Sequence, residues 1–197
     1  MEQIVAPQAL SHAVDIDRAA RILEAADRVL VIGCSGTGKS TLAQAIASLR
    51  GLAYVSMDRD IFWLPGWKLR PRPQSVALIE QAVAGSRWIM DGNSPGTLPL
   101  RLPRADIVIW RRSPRHVALR GVISRWLRYR GRSRPEMAPG CPERLDWKFL
   151  HYTWTFERNS APELQQMLVQ HGHNVPMVTL RSYRDGEELL SRLRSKT

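Results

Sequence analysis

Gly33-Cys34-Ser35-Gly36-Thr37-Gly38-Lys39-Ser40 stands between a continuous apolar run, Arg28–Ile32 (RVLVI), and a helical pattern from Thr41 to Leu49. The octet fills every fixed position of G-x-x-x-x-G-K-S, and it follows a strand and opens a helix, as that motif requires. Glycines let the backbone bend so that successive N–H groups point at phosphate oxygens. The start of the next helix adds favourable potential for an anion. Lys39 reaches the terminal phosphates of a nucleotide, and the Ser40 hydroxyl is placed to ligate magnesium. Gly33, Ser35, Gly36, Thr37, Gly38, Lys39, Ser40 and Thr41 are therefore the expected binding set for magnesium–ATP. Cys34 is expected to pack against the loop.

Outward from the octet, strand-like and helix-like stretches alternate. Leu52–Met57, Trp88–Met90, Asp106–Trp110 and Asn174–Leu180 read as strands, the last with an irregular start at Pro176. Asp15–Ala26, Gln74–Ala84, His116–Arg130, Ala161–His171 and Asp185–Arg194 read as helices. Ser113-Pro114 opens one helix, and Gly51 caps another. Arg59–Pro73, with its prolines, is expected to be irregular. Such alternation predicts an α/β architecture with a mainly parallel sheet between helical layers.

A chain of 197 residues suffices for one domain with a sizeable core. Apolar residues make up 44% and charged residues 24%, an ordinary globular balance. No apolar run approaches the roughly 18 residues of a membrane span. Met1–Ala13 lacks the basic-then-apolar pattern of a signal peptide. The two cysteines, Cys34 and Cys141, have no disulfide or metal-site spacing, which suggests a reducing, cytoplasmic setting. A net charge of +11 points to a polyanionic partner, either a nucleotide or a nucleic acid. Nine arginines and no acid lie between Arg111 and Arg134.

A magnesium–ATP site also needs a carboxylate at the end of a neighbouring strand, and Trp88-Ile89-Met90-Asp91-Gly92-Asn93 supplies Asp91. Asp106 precedes its strand and belongs at the opposite edge of the sheet. The Asp91 segment resembles the apolar-apolar-Asp-Gly segment of nucleoside monophosphate kinases. With GCSGTGKST, MDRDIFWLPGW, RWIMDGN, RADIVIW and RYRGRSRPEMAPGCPERLDWKFL, the chain resembles the adenylate-kinase-like DNA topology modulation proteins. The resemblance runs from about Arg28 to Arg194. It implies a three-layer P-loop NTPase fold, like a nucleoside monophosphate kinase core, with five parallel strands flanked by helices. It also implies a magnesium role for Asp91. Residues 1–27 are then an N-terminal helical extension to a kinase-like domain, 28–197. Arg111-Arg112 departs from the pattern, where related proteins often carry an apolar and an acidic residue.

Two further segments are expected to act on a second substrate. Asp58 follows the second strand, where a carboxylate either orients and deprotonates an acceptor hydroxyl or caps the next element. Within an insert of about 59–87, Phe62, Trp63 and Trp67 cluster with Arg70 as an acceptor pocket or as a small aromatic core. An arginine-rich lid spans about 115–148. Arg125, Arg128 and Arg132 are the candidates for stabilising a transferring phosphoryl group. The expectation is phosphoryl transfer from ATP to a nucleotide or small-molecule acceptor. Two alternatives stand beside it. One is a DNA-associated ATPase whose groove interleaves Trp126 and Tyr129; the other is an ATP-gated interaction protein. The aromatic stretch Trp147, His151, Tyr152, Trp154 and Phe156 is expected to be mostly core.

Overall fold

Along the central strand, Val29 and Val31 point to one side and Leu30 and Ile32 to the other, and all four are fully buried. That two-residue period, with both faces apolar, is what a strand between two helical layers requires. In the computed structural model, which describes residues 12–195, the same pattern recurs in each neighbouring strand. Ile89, Ile107, Ile109, Val178 and Leu180 face the first layer. Trp88, Met90, Val108, Trp110 and Met177 face the second.

The elements run β1 (Ala13–Val14), α1 (Ile16–Ala25), β2 (Arg28–Gly33), α2 (Lys39–Arg50) and β3 (Ala53–Ser56). After a single π-helical stretch, Met57–Phe62, come β4 (Trp63–Leu64), β5 (Lys68–Leu69), α3 (Arg72–Ala84) and β6 (Trp88–Asp91). Then follow α4 (Leu98–Arg101), β7 (Ile107–Arg111), α5 (Arg115–Tyr129), α6 (Trp147–Asn159), α7 (Ala161–His171), β8 (Met177–Leu180) and α8 (Tyr183–Arg194). The main sheet has six strands in the order β1-β8-β7-β2-β6-β3. All its pairings are parallel. Five of these strands are the expected ones; the sixth is the two-residue β1 at the edge. Residues 1–11, part of the expected N-terminal extension and of the segment read for a signal peptide, lie outside the described residues.

The first helical layer contains α1, α2 and α8. Ala19, Ala20 and Leu23 of α1 are completely buried with Leu42, Ala43 and Ile46 of α2 and Leu189, Leu190 and Leu193 of α8. Asp15 starts α1 by accepting a hydrogen bond from the Arg18 N–H at 2.7 Å, as an N-cap does. Gly51 ends α2 with a φ of 61°. The opposite layer takes Ile79 and Val83 from α3, Leu98 from α4, Phe156 from α6, and Leu164 and Leu168 from α7.

Two sequence expectations change. Arg59–Pro73 is not irregular throughout, because it holds the π-helical stretch and the β4–β5 hairpin. Trp147–Asn159 is a regular helix, α6. Its aromatics are not mostly core: Phe156 is buried, but Trp147 is 80% exposed and Trp154 45% exposed.

The order of strands places the site. From β2 the chain crosses to β3 and back to β6 on one side, then to β7 and β8 on the other. The connection therefore reverses at β2, and a crevice opens beyond the carboxyl ends of β2 and its neighbours. The Gly33–Ser40 loop and Asp91 both lie at that end, with Val31 opposite Asp91 in the register. Asp106 lies at the other end, where its carboxylate accepts from the Asp27 and Arg28 N–H groups at 3.0 and 2.8 Å.

Candidate active site

The glycine-rich loop takes its shape from three glycines at positive φ: Gly33 at 133°, Gly36 at 77° and Gly38 at 80°. At Gly36 a Cβ would meet the Ala118 carbonyl oxygen at 2.1 Å, so only glycine lets the loop lie against α5. Gly121 of α5 answers it: a Cβ there would lie 1.9 Å from the Gly36 oxygen.

Four side chains fix the loop. Thr37, fully buried, donates its hydroxyl to the Cys34 carbonyl at 2.7 Å. The Lys39 ammonium donates to that same carbonyl at 3.1 Å. The Asn93 side-chain amide grips Gly33 twice, accepting from its N–H and donating to its C=O, both at 2.8 Å. Tyr183 donates its hydroxyl to the Gly36 carbonyl at 2.8 Å. Cys34 is buried, and burial pushes its thiol up to about 11, so it carries no reactive thiolate at neutral pH.

Asp91 ends β6 beside this loop and is almost fully buried. Its Oδ2 accepts from the Tyr54 hydroxyl at 3.3 Å, while its Oδ1 has no partner. Burial raises the Asp91 pKa; the Lys39 charge and the Ser40 hydroxyl work against that shift. A buried carboxylate oxygen without a partner, next to a serine hydroxyl, suits a hydrated cation completed by phosphate oxygens. Among the described residues no cluster of three His, Cys, Asp or Glu side chains exists. The donor set thus fits magnesium brought in with a nucleotide, not a self-sufficient metal cage.

The turn after Asp91 rests on Arg101. Its guanidinium is completely buried and donates to the carbonyls of Gly92, Asn93 and Ser94. Burial lowers its pKa to about 9. Sequence reasoning missed both Asn93 and Arg101. Asn93 belonged to a quoted motif, but its amide pairs with Gly33 across the sheet, sixty positions away. Arg101 resembles any surface arginine until α4 turns it inward.

One cleft of about 740 Å³ joins the loop to the segment after β3 and to the arginine-rich stretch that begins with α5. Ser35, Gly36, Gly38, Lys39, Ser40, Thr41 and Asp91 line one wall. Asp58, Phe62, Trp63 and Trp67 line another, with Arg125, Arg128 and Arg134 from the arginine-rich stretch. Gly33 and Thr37 sit behind the wall and shape it.

Asp58 is released from capping work. Ser56 is the cap of the π-helical stretch, accepting from the Arg59 N–H at 3.2 Å. Asp60 returns the bond, accepting from the Ser56 N–H at 2.8 Å. Asp58 is left facing the cleft, half-exposed, with Arg134 at 3.4 Å.

Trp63 and Trp67 meet edge to face, their ring centroids 5.3 Å apart. They pack against Met137, Ala138 and Cys141, so they form a small satellite core while also lining the cleft. Trp67 holds a φ of 61°, rare for a bulky residue. Its N–H donates to the Cys141 sulfur at 3.3 Å and its indole N–H to the Pro142 carbonyl at 3.2 Å. Arg70 does not line the cleft; its Nε donates to the Ile61 carbonyl at 2.7 Å and ties the hairpin to the π-helical stretch.

The arginines of this stretch divide. Arg128 lines the cleft and forms no ion pair among the described residues. Arg125 lines it but is held by the buried Glu143 at 2.8 Å. Burial lowers the Arg125 pKa, and Arg134 adds to that. Arg132 is exposed and outside the cleft. Arg134, two residues on, takes the inward place between Asp58 and Glu143. The chain turns here instead of running straight: Gly131 has a φ of 71°, the Arg132 N–H donates to the Tyr129 carbonyl at 2.8 Å, and Glu143 donates its N–H to the Arg132 carbonyl at 2.9 Å.

The fold and the cleft define a three-layer α/β protein of the P-loop kinase fold. Shikimate kinase from Acinetobacter baumannii in complex with shikimate superposes with a TM-score of 0.54 at 12% identity, covering 90% of this chain and 96% of that one. Shikimate kinase from Bacteroides thetaiotaomicron gives 0.48 at 13% identity, over 87% and 98% of the two chains. A gluconokinase from Sinorhizobium meliloti 1021 gives 0.46 at 17%, over 86% and 94%. No family model matches the chain, and no curated protein matches it. Among the described residues no helix is long and apolar enough to cross a membrane.

Proposed function

We propose that this chain is an ATP-dependent phosphotransferase that moves the γ-phosphoryl group of magnesium–ATP to a small hydroxylated or phosphorylated acceptor. The observation that carries the proposal is the single cleft in which Lys39, Ser40 and Asp91 face Asp58 and the lid arginines. A binding protein has no need to bring a carboxylate and an unpaired arginine to the mouth of a phosphate-binding loop.

Gly33–Ser40, with Thr41, would cradle the phosphates, and Ser40 and Asp91 would hold magnesium. The metal supplies charge stabilisation on the phosphate oxygens. Lys39, resting on the Cys34 carbonyl, would turn to the terminal phosphates. Where the acceptor is a hydroxyl, Asp58 would accept its proton as the oxygen bonds to phosphorus and the bond to the ADP oxygen breaks. Arg128, with Arg125 or Arg134 once freed from their acids, would stabilise the equatorial oxygens. The segment at about 59–87 serves as acceptor insert and 115–148 as lid. On its motifs we place the chain with the adenylate-kinase-like DNA topology modulation proteins, in a reducing, cytoplasmic compartment.

Lys39→Ala tests the assignment. Turnover is expected to fall by about 10²–10³-fold in a chain that still folds, the usual effect of deleting one charge-stabilising donor. A folded variant with unchanged turnover refutes the proposal.

A further inference from the structure

Arg111, the last residue of β7, is a buried cation with no carboxylate on it. Its Nε and Nη2 both donate to the Thr37 carbonyl, at 2.9 and 2.6 Å, and its Nη1 donates to the Ser182 carbonyl at 2.8 Å. Among the described residues no Asp or Glu forms an ion pair with it. Two acids of the first turns of α8, Asp185 and Glu187, act on it through space without pairing with it, and Asp185 accepts instead from the Arg181 and Ser182 N–H groups at 2.7 and 3.2 Å. Burial pushes the Arg111 pKa down.

The two carbonyls it holds precede α2 and α8. The guanidinium therefore sits where two helices present the positive ends of their dipoles. The slot is built for it. A Cβ on Gly186 would lie 3.0 Å from Nη1, and one on Gly38 would lie 3.7 Å from Nη2. The Tyr183 ring closes the side, 5.3 Å from the guanidinium carbon.

An unpaired cation at two positive helix ends is unfavourable in the empty protein. An anion in the loop above relieves it. We infer that Arg111 is a positioning residue that supplies a standing counter-charge to the polyphosphate in the glycine-rich loop, acting through Thr37. This inference rests on the nucleotide reading of that loop. It makes the contribution of Arg111 grow with the negative charge of the ligand, which a purely structural clamp would not do.

The test is to titrate ATP, ADP, adenosine and inorganic tripolyphosphate, each with magnesium, into the wild-type chain, Arg111→Gln and Arg111→Lys. Circular dichroism verifies the fold of each. Arg111→Gln keeps a donor for the Thr37 carbonyl but no charge. It is expected to weaken ATP and tripolyphosphate by roughly tenfold or more, ADP by less and adenosine hardly at all, and added salt should narrow the differences. Arg111→Lys should recover much of the graded loss. Equal losses for all four ligands, or none in a folded Gln variant, overturn the inference and leave Arg111 a clamp. Should Arg111→Gln fail to fold, Arg111→Lys decides alone: it keeps the charge and loses the fork, so a graded loss as large as tenfold refutes the inference. A wild-type chain that binds none of the phosphorylated ligands refutes the nucleotide reading itself.

Discussion

Asp91 shows how a single residue can serve the site at the expense of the empty fold. Burial raises its pKa. A carboxyl with a raised folded pKa holds its proton in the folded state over a window where the unfolded chain has lost it. Its contribution to stability is complete below the unfolded value and is lost as pH rises through the folded one. Asp91→Asn should therefore raise the Tm of the ligand-free protein at pH 7, and the gain should vanish in acid. On the proposed function the same change should also lower turnover by about 10²-fold or more, since it removes the charge proposed to hold the metal. Thermal unfolding across pH, with turnover at pH 7, checks both. A variant less stable than wild type at pH 7 contradicts this reading of the carboxylate. At this scale the motifs singled out Lys39, Ser40 and Asp91, and the structure brings all three to one cleft. The sequence did not separate Arg132 and Arg70, which lie outside the cleft, from Arg134, which lines it, because a run of arginines without a clear period does not tell an inward side chain from an outward one.

The elements were legible where a period runs long. The five apolar strands and the helices around them follow from side-chain alternation, with ends shifted by a few residues. Elements hidden in the sequence are those held by tertiary contacts. The β4–β5 hairpin leans on the segment between α5 and α6, with the Gly66 N–H donating to the Gly140 carbonyl at 2.9 Å. The aromatic face of α6 is partly solvent-exposed, which blurs its helical period. The docking of the glycine-rich loop on α5 is another such contact. Gly121 lies in a helix interior, where alanine is favoured by about 1 kcal/mol. A Cβ 1.9 Å from the Gly36 oxygen reverses that preference. Gly121→Ala is expected to destabilise the chain by about 1–3 kcal/mol, as overpacking does, and to weaken ATP binding. A Tm at or above wild type would show that α5 and the loop are not locked together.

Across the whole molecule, charge and core carry different information. The charge of +11 signalled an anion but not which one. The structure directs part of it inward: Arg101 and Arg111 are both buried around the loop, and Arg125, Arg128 and Arg134 face the cleft. The core gives α1 a larger role than an extension ahead of the main domain would have. Leu23 is completely buried with α8 and the sheet, so Leu23→Ala should cost about 2–5 kcal/mol. For a chain of this size each kcal/mol lowers Tm by roughly 2–4 °C. A near-neutral Leu23→Ala would return α1 to the status of an appendage. The central claim concerns what the cleft does. The measurement that tests it most directly is ADP production from magnesium–ATP, alone and with a panel of nucleoside monophosphates, small hydroxylated metabolites and DNA. Strong stimulation by one small acceptor, with a phosphorylated product, is the expected result. Slow hydrolysis indifferent to every acceptor, or stimulation by DNA alone, contradicts it.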